Sequence, residues 1–231
     1  DNTMACASID YRLSQDLGGV CEGTGKAVYQ DQVHDMAIAY AHLQKNAGTY
    51  QLDPKRTFIG GHSAGAHLAQ YLNLRWADFA VSCEKTGTCP ALAGAIGFEG
   101  IYDIPAWDHY DATFWNGQFA CATRKAFGAP GPSPEACVDE IHNERCWDTG
   151  SPAYLASNTD KFAYTPQADV LLIHSPDDNW VDVKETTAFA AVLKTSFPDT
   201  EVQVYTDGSC ASGQHNDVLK STDLARCIIK F

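Results

Sequence analysis

Apolar residues in this chain fall into short runs separated by longer stretches of helical spacing. Met4 to Ile9 reads as a first strand, followed by Thr57 to Gly60, Gly94 to Phe98, Asp169 to His174 and the alternating segment Glu201 to Thr206. Between the first two, Val33, Met36, Ala37, Tyr40 and Leu43 form one stripe of a helix from about Ala27 to Asn46. A helix-forming run, Ala66 to Leu72, follows the second strand, and another, from about Asp182 to Thr195, follows the fourth. A last helix carries Leu224, Cys227, Ile228 and Phe231. Strands alternating with helices predict a parallel sheet with right-handed crossovers, hence helices on both faces. One stretch breaks the rhythm. Residues Ile104 to Tyr164 crowd aromatics, among them Trp107, Tyr110, Trp115, Phe119 and Trp147, around the breaker run Gly128-Ala129-Pro130-Gly131-Pro132. This insertion is expected to cap the carboxyl ends of the strands, where ligands bind in such sheets.

The junction of the second strand and its helix carries the chemistry. Gly61-His62-Ser63-Ala64-Gly65 has the form of a nucleophile elbow. A serine hydroxyl reacts poorly at neutral pH unless it is held clear of its backbone, near a base and beside free N–H donors. A sharp strand-to-helix turn provides all three, because flanking glycines let the chain fold tightly and a new helix offers unpaired N–H groups. Ser63 is therefore the candidate nucleophile and the Ala64 N–H the candidate oxyanion donor. In sheets built around such an elbow the partners follow along the chain as acid, then histidine. Of the eight histidines, His34, His42 and His62 precede Ser63, and only His215 lies beyond the acid-bearing segment Ser175-Pro176-Asp177-Asp178. His215 falls in a polar loop between the last strand and the last helix. His62, beside the nucleophile, and His67, one turn after it, are read as structural hydrogen-bonding residues.

Gly60-Gly61-His62-Ser63-Ala64-Gly65-Ala66-His67-Leu68-Ala69 resembles the signature of α/β-hydrolases of the kynurenine formamidase and small carboxylesterase group, related to the hormone-sensitive lipase family. Asp10-Tyr11-Arg12-Leu13, Gln32-Val33-His34-Asp35, Leu52-Asp53-Pro54-Lys55-Arg56 and Gly100-Ile101-Tyr102-Asp103 are similar to further stretches of that group. The resemblance spans nearly the whole chain outside residues 105 to 150. It implies an α/β-hydrolase fold and a serine carboxylic ester hydrolase of small or medium esters, working through an acyl-enzyme with no metal and no cofactor. It also favours Asp178 over its neighbour Asp177 as the acid that orients His215, since Asp178 stands four residues after His174 and three before Val181, close to the group's usual spacing. The bland reading of both aspartates is capping of the helix that begins near Asp182. Ala66 stands where the group usually has glycine. The group's His-Gly-Gly oxyanion segment has no counterpart ahead of Asp10, so a second donor is expected either from an amino-terminal chain of the same precursor or, in a truncated form, not at all. Pocket candidates are Trp180 beside the acid, Glu99 after an apolar strand, and Trp107 in the insertion. An amidase or formamidase acting on aryl N-acyl substrates is the alternative activity, and a non-catalytic binding protein of this fold the alternative of another kind.

Composition narrows the setting. Nine cysteines without a zinc-type Cys-x-x-Cys pair point to disulfides and a secreted, extracellular protein. Cys83 and Cys89 flank a short loop and are expected to pair, while Cys210 and Cys227 bracket the His215 loop and would staple it. The odd cysteine is expected either as a buried free thiol, with Cys6 in the first strand the best candidate, or as a link to another chain. Sixteen basic against 29 acidic residues give a net charge of −13, which argues against nucleic acid and anionic membrane surfaces. No apolar run approaches the length needed to span a bilayer. With 45% hydrophobic residues, one catalytic domain is expected over 1–231, with its cap insertion at about 104–164.

Overall fold

The computed structural model describes residues 4–14, 27–79, 81, 83, 87–128 and 146–231. Its centre is a four-stranded sheet ordered β1 (Phe58–His62), β2 (Gly94–Phe98), β3 (Val170–Ile173), β4 (Val202–Tyr205), with every neighbouring pair parallel. Parallel neighbours require crossovers, and helices supply them: α3 (Ala64–Leu74) from β1 to β2, α4 (Ile104–Phe114), α5 (Ala120–Phe127), α6 (Cys146–Thr149) and α7 (Pro152–Ser157) between β2 and β3, and α8 (Val183–Ser196) from β3 to β4, while α1 (Tyr29–Lys45) and α2 (Ala47–Tyr50) precede the sheet and α9 (Thr222–Lys230) follows it.

Alternate strand residues face opposite layers. Ile59, Ala95, Val170, Leu172 and Val202 join Val33 of α1, Tyr71 and Leu72 of α3, Leu155 of α7 and Phe189 of α8 in one core. Ile96, Leu171 and Ile173 turn the other way, onto Val218 and onto Leu224 and Cys227 of α9. All four residues of β3 are buried, as a parallel strand covered on both faces requires. The structure therefore has the helix–sheet–helix layering that the apolar pattern predicts.

Three expectations need correction. Met4 to Ile9 forms no strand. Residues 4–10 are exposed and carry no ladder among the described residues, and an apolar run becomes a strand only where a neighbour pairs its backbone. The chain is anchored just after it, where Arg12 Nε and Nη2 donate to Asp35 of α1 at 2.9 and 2.8 Å. Cys6 is accordingly an exposed free thiol rather than a buried one. The third correction concerns the insertion, which divides. Leu155, Ala156 and Phe162 belong to the main core, so α7 is structural support beneath the sheet. Of the described insertion, the connection from α4 to α5 reaches the loop after β3, where Trp115 Nε1 donates to Asn179 O at 3.0 Å and Phe119 packs on Trp180 with ring centroids 5.7 Å apart. Residues 129–145, with Cys137, lie outside the described residues.

Cys83 pairs with Cys89 and Cys210 with Cys227. Cys121 is also disulfide-bonded. The second bridge closes the segment that contains His215 onto α9.

Candidate active site

The elbow is built where β1 ends. Ser63 has φ 55° and ψ −119°, a strained conformation for a residue with a side chain. It is fixed by its own N–H, which donates to Phe98 O at 2.8 Å, and by its carbonyl, which accepts from Ala66 and His67 N–H at 3.0 and 3.2 Å. Ala64 opens α3, so its N–H is one of the helix-start donors without an intrahelical acceptor. The two glycines are not equivalent. A Cβ on Gly61 would lie 2.3 Å from the Gly65 carbonyl carbon, whereas one on Gly65 would meet nothing within 4 Å. Gly61→Ala is expected to lower stability by about 3 kcal/mol, since backbone must move, and Gly65→Ala by far less. Thermal denaturation of the two variants checks this, and equal losses would contradict it.

His215 is 3% exposed. Its Nδ1 donates to Asp178 Oδ2 at 2.7 Å. Asp177, by contrast, is exposed. The Asp178 side chain is fully buried, and its Oδ1 accepts from Trp180 and Val181 N–H at 2.8 and 3.2 Å. Burial alone would push this carboxyl up. Hydrogen bonds from His174, His215 and the Trp180 N–H outweigh it and hold the group well below the usual carboxylate range. His174 lies at the end of β3, with Nε2 3.1 Å from both Asp178 Oδ2 and Val181 O, and Nδ1 accepting from the Thr186 hydroxyl at 2.8 Å. Trp180 stacks on the His215 ring at 5.4 Å with an interplanar angle of 19°.

His62, next to the nucleophile, ties the His215 loop to β1. Its Nε2 is 2.8 Å from the His215 carbonyl and 3.1 Å from Glu99 Oε2. Ser175 holds the same loop from β3 by donating its hydroxyl to Gly213 O at 2.7 Å. Glu99 does not line an open pocket, because its side chain is completely buried against these histidines. His62, Glu99 and His215 place one donor atom each within 4.8 Å of one another, a geometry a metal ion could use. Those atoms are already spent as hydrogen-bond partners of one another, of Asp178 and of the His215 carbonyl. His67 is buried and donates Nε2–H to Gly150 O at 2.7 Å, and burial pushes its imidazole down to about 4.

Trp107 stands apart from the His215 cluster. It packs with Ile101, Ile104, Trp147 and Val181, and its Nε1 donates to Thr123 Oγ1 at 3.2 Å. It also lines a cleft of about 700 Å³ between α4, α7 and α8, with Tyr110, Phe114, Tyr154, Asp103 and Glu185. Ser63, Asp178 and His215 are not among the residues lining that cleft, so its size says nothing about their chemistry. Sequence reasoning missed the bond from His174 to Asp178 and the convergence of Glu99 on His215. The available signal was an acidic or imidazole side chain ending an apolar strand, at Phe98-Glu99 and Ile173-His174.

The chain as a whole has relatives. The BD-FAE family profile matches residues 1–193. A kynurenine formamidase of Aspergillus versicolor is 29% identical over 222 residues, covering 94% of this chain and 70% of that protein. A kynurenine formamidase-like hydrolase of Fusarium equiseti is 27% identical over 243 residues, covering 97% of this chain and 68% of that one. Among solved structures, carboxyl esterase 2 of the mycorrhizal fungus Tuber melanosporum superposes with a TM-score of 0.55 at 18% identity, covering 88% of this chain and 61% of that one, a likeness of fold. The family match extends from the anchored Arg12 through the elbow, the Asp178 turn and most of α8, and so the chain belongs to the BD-FAE family, within the α/β-hydrolases of the kynurenine formamidase and carboxylesterase group.

Proposed function

We propose that this protein is a secreted serine carboxylic ester hydrolase acting on small or medium esters. The observation that carries the reading is the 2.7 Å hydrogen bond from His215 Nδ1 to the buried Asp178, beside an elbow that holds Ser63 at positive φ. In this reading Ser63 Oγ attacks the ester carbonyl and its proton passes to His215 Nε2. Asp178 fixes the tautomer that leaves Nε2 free to accept, and stabilises the imidazolium that results. The Ala64 N–H donates to the oxyanion. Collapse of the tetrahedral intermediate expels the alcohol, which takes the proton back from His215. Water, deprotonated by the same imidazole, then frees the acid and restores Ser63. Each step uses only side chains, backbone and water.

The disulfides support an oxidising, extracellular compartment. No described helix is long and apolar enough to cross a membrane. A second reading, an amidase or formamidase acting on aryl N-acyl substrates, is favoured by the names of the relatives. It would use the same residues with an amine as leaving group.

The test is to treat the native protein with a serine-directed fluorophosphonate, map the adduct by peptide mass, and compare turnover of an aryl acetate with that of an N-formyl arylamine. A single adduct on Ser63 and faster ester turnover are expected. Faster amide turnover would replace the ester reading by the amidase one, and absence of both adduct and turnover would leave a binding protein.

A further inference from the structure

We propose that Glu99 is a second acid for His215, a positioning residue that shares the imidazole Nδ1 side with Asp178. The inference rests on the hydrolase reading above. Glu99 Oε2 is 3.4 Å from His215 Nδ1, against 2.7 Å for Asp178 Oδ2, and both acidic side chains are 0% exposed. Two carboxyl groups therefore converge on one nitrogen in a place without solvent.

That arrangement is expensive for a structural plug. Glu99 holds φ 49°, a left-handed conformation that a residue with a Cβ seldom adopts. A buried carboxyl must also find donors. It has them: Ser175 N–H donates to Oε1 at 3.2 Å, and His62 Nε2 lies 3.1 Å from Oε2. The backbone is held as well, with Glu99 N–H donating to Ile173 O at 2.8 Å in continuation of the sheet ladder. These contacts fix the second carboxyl beside the first, where like charges repel while the imidazole is neutral. When Ser63 passes its proton to His215, the ring gains a positive charge between them and the juxtaposition turns favourable. The interaction is thus stronger in the transition state than in the resting enzyme, which is the condition for accelerating the chemical step.

The groups facing His215 are Asp178 from the loop after β3, Glu99 from the turn after β2, His62 from the end of β1 with ring centroids 4.4 Å away, and the neutral Trp180 ring. His174 reaches the array only through Asp178. His62 holds Glu99 and the His215 carbonyl with one nitrogen, so the second acid and the histidine loop are set from the same point.

A second acid predicts redundancy. When a triad has a single acid, replacing it by the amide costs about 10⁴-fold in kcat because the histidine takes the wrong tautomer. Here Asp178→Asn should cost only about 10²-fold, with Glu99 still able to accept from Nδ1–H and preserve the tautomer. Glu99→Gln should lower kcat about tenfold with KM changed less than about twofold, and move the acid limb of the kcat/KM profile to lower pH by about one unit, since a negative charge beside the imidazolium is gone. The double variant should fall below the product of the two single effects, to about 10⁴-fold.

The measurement is kcat, KM and the pH profile of the full chain on an aryl ester for these three variants and Ser63→Ala, with melting temperatures alongside. A purely structural Glu99 would give multiplying effects and an unmoved acid limb, which overturns the proposal. Asp178→Asn alone keeps the test decisive should Glu99→Gln not fold, because a full 10⁴-fold loss there would also overturn it. Undiminished turnover in Ser63→Ala would instead sink the hydrolase reading itself.

Discussion

Ser63→Ala is expected to reduce kcat on an aryl ester by about 10⁴- to 10⁶-fold while leaving the melting temperature within about 1 °C. The size follows from what the side chain does. Ser63 Oγ is the atom that bonds the acyl carbon, and the surrounding groups have no other target: His215 has no hydroxyl to deprotonate and the oxyanion donors no tetrahedral centre to stabilise. What survives is water attacking a polarised carbonyl, which in such sites still exceeds the uncatalysed rate by about 10³-fold. The fold should be indifferent. The elbow is held by backbone contacts, the Ser63 N–H on Phe98 O and the Ser63 carbonyl shared by Ala66 and His67, and alanine makes all of them. Alanine also incurs a similar cost at φ 55°. The fluorophosphonate adduct should disappear with the activity. Loss of activity with an unchanged adduct would place the reactive hydroxyl elsewhere.

The parts of this molecule legible in the sequence are those set by local spacing. An apolar run bounded by polar residues fixed β2 and β3 nearly to the residue, and Gly61 to Gly65 marked a strand-to-helix turn because few sequences can make one. Chain order singled out His215, and the resemblance to the hydrolase group favoured Asp178 over Asp177. The structure places Asp178 on His215 with Asp177 in solvent. What stayed hidden depends on partners distant in sequence. Met4 to Ile9 looks like a strand in isolation, and its exposure is decided by what lies beside it. Pro152–Ser157 is too short to show a helical stripe, so nothing local says that Leu155 belongs to the main core. Glu99 and His174 look alike in sequence, each ending an apolar run. Only the parallel register of β2 and β3 sets the two strand ends side by side, so that Glu99 meets the His215 imidazole and His174 meets its partner Asp178. Trp107 is the opposite case, an aromatic in the expected cap whose packing partners draw it to a different cleft.

Glu185→Ala should destabilise the protein by about 3–5 kcal/mol near pH 4.5, and by correspondingly less at neutral pH, where the buried carboxyl ionises. Glu185, in the first turn of α8, reaches across to the turn after β2, where its Oε2 accepts from Tyr102 and Asp103 N–H at 2.7 and 2.9 Å. Removing it takes the acceptor from two backbone donors, one buried and one part-buried. Its titration adds a pH signature. Burial pushes the carboxyl up from an ordinary value of 4.5 to about 7, against the pull of those two N–H groups. A carboxyl whose folded value is raised binds its proton more tightly when folded. Its contribution is therefore fully present below about pH 4.5 and is lost as pH rises towards 7, by about 3 kcal/mol at about 1.4 kcal/mol per unit. Glu185→Gln keeps an acceptor oxygen and removes the titration. Subtracting its stability from that of the wild type, at each pH from 4 to 8, should give a difference that falls across that window. Parallel curves would contradict the assignment. The same turn carries Glu99 at one end and, at the other, Asp103, which caps α4 by accepting from Ala106 N–H at 3.0 Å. Loosening it by Glu185→Ala should therefore cost activity beyond the loss of folded protein, because both the second carboxyl at His215 and the helix that leans on Trp180 hang from that turn.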